Sequence, residues 1–382
     1  MSAAPRSVQR MAEPTPFSIA VADEVLVDLA DRLARSRLLD DSPRRPPSGM
    51  SGAYLRELVA TWQSWDWRGR EAWLNRHSQY TADVGDTTLH FVHARSARTD
   101  AAALLVMHGW PHTFALQLDF ADLLRDFHVV IPSLPGFAFS TPYADGPMTE
   151  FRIAETMHRL MTETLGYDSY LTHGEDVSAN VSDLIAAIYP GAVAGILVTH
   201  AHFPSAAERA RLTASDEIAF FERLSAFHLS DGGYGHLQAT RPDTLAVALN
   251  DSPAGLLAWI AEKLVEWSDT PAGAPSAVER RISRDRILTD AMLYWVTRSI
   301  GASFRPYYEG ADRPAPMPPV EVPASIHIQR HEADYPESLA RAYYSDIRTF
   351  ERLQEGGHFT VAEVPALMAD RVRAFAGELG LR

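Results

Sequence analysis

The 382-residue chain contains no cysteine. Disulfides, thiolate nucleophiles and cysteine-ligated metals are therefore excluded, and the composition fits a reducing compartment. It also has no apolar run of about 18 residues, so no membrane-spanning helix is expected. Basic residues are few: 35 against 49 acidic ones, a formal net charge of -14. That balance argues against a nucleic-acid footprint and against docking on an anionic membrane. P-loop and dinucleotide fingerprints are missing, so no motif calls for a nucleotide cofactor. Internal repeats are missing too. Met1 to Thr15 is polar and Pro-containing, without the apolar centre of a signal peptide. These absences predict a soluble, cytoplasmic protein that requires neither cofactor nor metal.

What is present is an ordinary globular composition, 46% hydrophobic and 22% charged. The length suffices for a large core and for more than one substructure. Helical periodicity runs from Val21 to Leu38, and further helices are expected at 54–62 and 70–76, after a Pro/Ser-rich loop from Asp40 to Ser51. Thr88 to Val92 alternates like a strand. From about residue 95, strands (103–107, 127–132, 169–173, 194–199, 325–330, 347–352) alternate with helices (115–125, 150–165, 178–188, 361–379). Alternation of this kind predicts a mostly parallel sheet covered on both faces. Between 203 and about 320 the alternation stops and the chain reads as helices and loops. An insertion at that point would lie as a lid over the strand C-terminal ends, returning through the proline-rich stretch Pro314 to Pro323.

Chemistry concentrates at Leu171-Thr172-His173-Gly174-Glu175-Asp176-Val177-Ser178-Ala179. Gly174 and Ser178 stand two positions either side of Asp176, the small-x-nucleophile-x-small pattern of a strand-to-helix elbow. A carboxylate at that apex suits attack on an sp3 carbon, forming an alkyl-enzyme ester. An Asp opening a helix is also an ordinary N-cap. Two further elements bear on the choice. Ala103 to Met107 runs into His108-Gly109-Trp110-Pro111, a loop with free backbone N–H groups, and Gly356-Gly357-His358-Phe359 follows a late strand. Nucleophile, acid and histidine then fall in the chain order of an α/β-hydrolase.

With these parts in place the chain resembles the microsomal-type epoxide hydrolases nearly end to end. The resemblance also rests on Leu33-Ala34-Arg35-Ser36-Arg37, Trp65-Asp66-Trp67-Arg68, His90-Phe91-Val92-His93, Pro132 to Ser140 and Leu249 to Trp259. It implies an α/β-hydrolase fold in four parts: an N-terminal meander (1–95), the core's first part (96–202), a helical lid (203–320) and the core's second part (321–382). It implies Asp176 as nucleophile and His358 as the base for a water that hydrolyses the ester. The family's acid follows the strand at Ser325 to Arg330, where counting from Val322-Pro323 lands on Glu332, with Asp334 as the alternative. Backbone N–H groups of Trp110 and Val177 would meet the oxyanion. Two lid tyrosines protonate the opened ring in this family; Tyr234 matches the first and Tyr307 the second, although adjacent Tyr308 leaves the register open.

The implied partners are an epoxide, bulky and aromatic or apolar, and water; a homodimer is left open, as is a role in detoxification or secondary metabolism. Two rival functions use the same residues. A haloalkane dehalogenase also has an elbow Asp, but that group commonly places Trp after it, where this chain has Val177. A non-catalytic ligand-binding relative would have no need of Asp176, His358 and an acid together. His200-Ala201-His202 has metal-binding spacing, but no Asp-His pair follows it, so it is expected to line or support the pocket.

Overall fold

In the computed structural model, which describes residues 13–41, 49–310 and 317–381, the elements fall into a single nine-stranded sheet flanked by helices. Most of the expected N-terminal tail, the middle of the Asp40 to Ser51 loop and the start of the Pro314 to Pro323 return lie outside the described residues. The strands are β1 (Thr15–Phe17), β2 (Gln79–Val84), β3 (Thr87–Ala94), β4 (Ala103–Met107), β5 (His128–Pro132), β6 (Tyr170–Gly174), β7 (Val193–Val198), β8 (Ala324–Ile328) and β9 (Ile347–Arg352). Their spatial order is β1-β2-β3-β5-β4-β6-β7-β8-β9. Pairing is parallel from β5 through β9 and antiparallel among β1, β2, β3 and β5.

The parallel strands β4, β5, β6 and β8 are buried at every position. Helices on both faces account for this, and it is why these strands read as continuous apolar runs. The antiparallel edge was only partly foreseen: β3 was expected, β1 and β2 were not. Their short, polar sequences carry too little alternation to stand out, and pairing with neighbours defines them. The alternation in β3 also has a different meaning from a solvent-facing strand. His90 is fully buried, with Nδ1 2.9 Å from Ser133 Oγ and Nε2 2.9 Å from Gln79 Oε1. Partnered polar groups of this kind can be buried at little cost.

Helices α1 (Asp23–Ala34), α2 (Gly52–Gln63) and α3 (Trp67–Leu74) belong to the N-terminal segment. Ser51 and Asp66 cap α2 and α3 by accepting from Tyr54 N and Gly69 N. The expected helix at 115–125 is a 3-10 turn, Phe114–Gln117, leading into α4 (Leu118–Leu123), and the one at 150–165 is α5 (Glu150–Arg159) ending in a wider π turn, Leu160–Thr164. After β6 comes α6 (Val177–Ile188). The stretch after β7 is helical as expected: α7 (Ala206–Arg209), α8 (Ser215–Asp231), α9 (Gly233–Thr240), α10 (Pro242–Asp251), α11 (Pro253–Trp267), α12 (Arg284–Thr297), α13 (Ile300–Ser303) and α14 (Arg305–Glu309). It is not uniformly a surface cover. Leu256, Leu257, Ile260 and Leu264 of α11 and Ile287, Leu288 and Met292 of α12 join the same hydrophobic cluster as the sheet. Both α1 and α2 pack on α11, and Arg32 Nη1 ties α1 to Asp251 O at 2.6 Å. Helices α15 (Glu337–Tyr343), α16 (Thr360–Glu363) and α17 (Pro365–Glu378) complete the chain, the last two replacing the single helix expected at 361–379. Among the described residues no helix is long and apolar enough to cross a membrane.

The feature that positions the site is the turn between β6 and α6. Asp176 has φ 56° and ψ -127°, a conformation L-residues rarely adopt and one that costs about 1–3 kcal/mol. A Cβ on Gly174 would run into the backbone carbonyl of Ser178. A Cβ on Gly109 would lie 2.7 Å from Asp176 Oδ1. Close approach, not flexibility, therefore requires both glycines. Replacing Gly174 with Ala should force the helix away from the strand and lower stability by about 1–3 kcal/mol. Thermal unfolding and far-UV circular dichroism would read this as a lowered Tm with retained helix content; an unchanged Tm would mean the elbow relaxes freely.

Candidate active site

The elbow lifts Asp176 clear of the sheet at the carboxyl ends of β4 and β6, where open α/β sheets bind ligands. Its side chain keeps 17% exposure. Trp110 N donates to Asp176 Oδ1 at 3.1 Å. The Trp110 loop is itself held against the elbow: Ser178 Oγ donates to His108 O at 2.5 Å, and Leu134 N donates to His108 Nε2 at 3.1 Å. Burial works against ionisation of Asp176, but His358 and the N–H groups of Val177 and Trp110 outweigh it and bring the carboxyl below its usual range.

His358 sits in the loop between β9 and α16, its N–H donating to Trp267 O at 2.9 Å and its ring 4.9 Å from the Trp267 ring. Nε2 stands 3.4 Å from Asp176 Oδ2, an ion-pair distance without an aligned hydrogen bond. Nδ1 stands 3.1 Å from Glu332 Oε1. Burial opposes protonation of this imidazole. The two carboxylates outweigh it and raise the value to about 10. Glu332 is drawn down to about 2, burial again opposing and His358 prevailing. Asp334 is turned away, its side chain 76% exposed and ion-paired with Arg352. His358 thus meets Glu332 and not Asp334.

Tyr234, on α9, stacks on Trp110 with ring centres 5.3 Å apart and planes 8° from parallel. Tyr307, on α14, meets the edges of Trp110 and Tyr234, each at 6.1 Å. The two hydroxyls influence one another's protonation. Burial first and the Asp176 charge second push both phenols above their ordinary value, so both keep their protons at neutral pH. Tyr308 is 51% exposed and outside this group, so the chamber contains Tyr307 of the two. Phe304 and Trp267 complete the aromatic wall. Behind it Lys263, almost wholly buried, binds Asp231 at 2.7 Å, while Asp231 also accepts from Trp267 Nε1 at 2.9 Å.

The five expected side chains and the Trp110 N–H therefore converge on one chamber. His200 was expected to line or support the pocket, whereas Gln329 carried no expectation. His200 Nε2 lies 3.2 Å from His358 Nδ1, and Gln329 Nε2 lies 3.2 Å from the same His200 atom. His200 lines the pocket, whereas His202 stacks on Tyr343 at 3.6 Å, so the H-x-H pair does not converge on one point. His200, Glu332 and His358 are close enough together to face a cation. Burial lowers the His200 value to about 4, keeping it neutral, and the proton on His358 already supplies the positive charge between the carboxylates. Glu175 has no sequence signal for a role beyond its position next to Asp176.

Residues 14–116 match the family described as epoxide hydrolase N terminus, and residues 102–231 match the alpha/beta hydrolase fold family. A protein of Stigmatella aurantiaca (strain DW4/3-1), provisionally named an epoxide hydrolase, is 34% identical over 376 residues, spanning 94% of this chain and 84% of its own length. Epoxide hydrolase 1 of Sus scrofa is 30% identical over 407 residues, spanning 95% and 88%. Among solved structures, juvenile hormone epoxide hydrolase from the silkworm Bombyx mori has a TM-score of 0.87 at 25% identity, with 97% of this chain and 96% of that one covered.

The raised His358 value has a consequence for stability. Relative to an ordinary 6.5, a folded value of about 10 gives a contribution fully present below about 6.5 and lost as pH rises through about 10. Melting temperatures measured from pH 6 to 11 should fall on the alkaline side for the parent, and the His358→Gln variant should lack that component. Parallel curves would show that the imidazolium does not stabilise the fold.

Proposed function

The chain belongs to the epoxide hydrolase family and is an epoxide hydrolase; from that premise we propose that Asp176 opens the ring covalently, that His358 with Glu332 hydrolyses the resulting ester, and that Tyr234 and Tyr307 protonate the departing oxygen. One observation carries this reading. The Asp176 carboxylate has a backbone donor at 3.1 Å on one oxygen and the His358 Nε2 at 3.4 Å from the other, in a chamber that also holds the phenols of Tyr234 and Tyr307.

In the resting state Asp176 is a carboxylate and His358 an imidazolium. An Asp176 oxygen attacks a ring carbon, the C–O bond of the epoxide breaks, and the alkoxide takes a phenol proton. Conversion of Asp176 to a neutral ester removes one of the two charges that hold the proton on His358. That proton then restores the tyrosine, and His358 becomes a neutral base. It deprotonates a water, which attacks the ester carbonyl. The tetrahedral oxyanion faces Trp110 N–H and Val177 N–H, donors of a kind typically worth roughly 3–4 kcal/mol each. Collapse breaks the acyl C–O bond, the leaving alkoxide takes the proton of the carboxylic acid so formed, and diol, carboxylate and imidazolium result. Protons balance, and the oxygen joined to the attacked carbon is one from Asp176.

The wall of Trp110, Tyr234, Tyr307, Phe304 and Trp267 supports a bulky aromatic or apolar epoxide as the substrate class. A panel of aryl and alkyl epoxides beside chloroalkanes, with diol read against halide, should yield diol only. A single turnover in 18O-water should place unlabelled oxygen in the first diol; label there would mean direct attack by water.

For the tyrosines, removal of one hydroxyl should be partly tolerated, because the partner phenol still donates. The double Tyr234→Phe, Tyr307→Phe variant should nearly abolish alkylation, followed by quenching of tryptophan fluorescence in stopped flow. Wild-type alkylation by the double variant would remove the phenols from the mechanism.

A further inference from the structure

Glu175 is fully buried immediately before the nucleophile, although burying a carboxylate costs several kcal/mol. Its contacts reach three separate stretches of chain. Oε1 accepts the Val361 N–H at 2.9 Å, three residues beyond His358. Oε2 lies 3.4 Å from His112 Nε2. That nitrogen accepts the Gly109 N–H at 3.2 Å, so Oε2 packs against the imidazole without a hydrogen bond to it; Gly109 directly precedes Trp110. On the elbow's own strand, His173 Nε2 lies 3.7 Å from Oε1, while its Nδ1 faces Leu197 O of β7 at 3.2 Å. The Glu175 N–H donates to Met107 O at the end of β4, at 3.2 Å.

We propose that Glu175 is a positioning residue that fixes the elbow, the loop carrying the Trp110 N–H and the loop carrying His358 in one mutual geometry, and so governs hydrolysis of the ester more than its formation. The inference rests on the covalent cycle proposed above. Attack on the epoxide needs only the Asp176 oxygen and the lid phenols, and Glu175 touches neither. Hydrolysis needs the donor and the base placed around one carbonyl. Those groups sit on the two loops that Glu175 touches, one through the hydrogen bond from Val361 N and one through the packing of Oε2 on the His112 ring and the bond of the Glu175 N–H to Met107 O. A misplacement of about 1 Å in such an arrangement can cost about 100-fold in rate.

The test uses the full-length chain, with Glu175→Gln and Glu175→Ala measured against the parent. Gln keeps the volume and an oxygen for the Val361 N–H but loses the charge facing the two histidines. The probe is styrene oxide, or whichever member of the epoxide panel the parent turns over fastest. In Glu175→Gln, kcat should fall roughly 10- to 100-fold, while stopped-flow alkylation changes by no more than about threefold and KM falls with kcat. Intact-mass spectrometry should then show the ester accumulating on the variant. The alanine variant, if folded, should lose more of kcat than the glutamine variant.

A merely structural residue would lower both steps together with the folded fraction. That proportional loss would overturn the proposal, as would parent-like kcat in Glu175→Gln. Absence of any ester in the parent, trapped as His358→Gln, would instead overturn the covalent cycle and this inference with it. A parent ester beside an unaffected Glu175→Gln variant would remove the inference alone.

Discussion

Three ionisable groups in one half-buried chamber must alternate in sign, and the arrangement of the molecule around the sheet's carboxyl ends follows from that requirement. Glu332, His358 and Asp176 form a row of negative, positive and negative charges, with neighbours at 3.1 and 3.4 Å. Each outer carboxylate lowers the cost of the central cation, and the cation lowers theirs. The row spans three connections: after β6, after β8 and after β9. Those strands are adjacent or nearly so in the sheet, so a rigid hydrogen-bonded ladder holds the spacing that side chains alone could not. The same row is self-cancelling. Esterification of one end discharges it, and the centre then changes from cation to base.

Much of this was legible in the sequence because the determinants are local. Gly174 and Ser178 flank Asp176 for steric reasons that any elbow imposes, and the buried parallel strands appear as apolar runs because both faces are covered. Glu332 could be reached by counting from Val322-Pro323, since the strand between is short and regular. Three things were not legible. The strands β1 and β2 owe their form to pairing rather than to pattern. The choice of Tyr307 over Tyr308 depends on how the short helix α14 rotates against Trp110, which no spacing rule specifies. The role of Glu175 depends on a contact with a residue more than a hundred positions away.

Aromatic packing gives the chamber a second character. Trp110 supplies a backbone donor to Asp176 and, through its ring, the surface on which Tyr234 stacks. One residue therefore couples the core to the helical cover. Trp267 does similar work from α11, touching Trp110, Tyr234 and His358 while its indole N–H anchors Asp231. Val177 and the rest of the elbow helix carry no aromatic side chain, so the chamber's rings come from the loop after β4 and from the helices after β7.

The packing of α1 on α11 joins residues separated by more than two hundred positions. During synthesis, at roughly 5–20 residues per second, α1 would wait on the order of 10–50 s for α11 to emerge. Throughout that interval α1, whose Leu29 and Leu33 are buried to within a few per cent in the finished fold, lacks the cover that α11 provides. Helix α1 is thus made well before the face of α11 on which it packs, and for that interval its apolar side depends on protection from self-association.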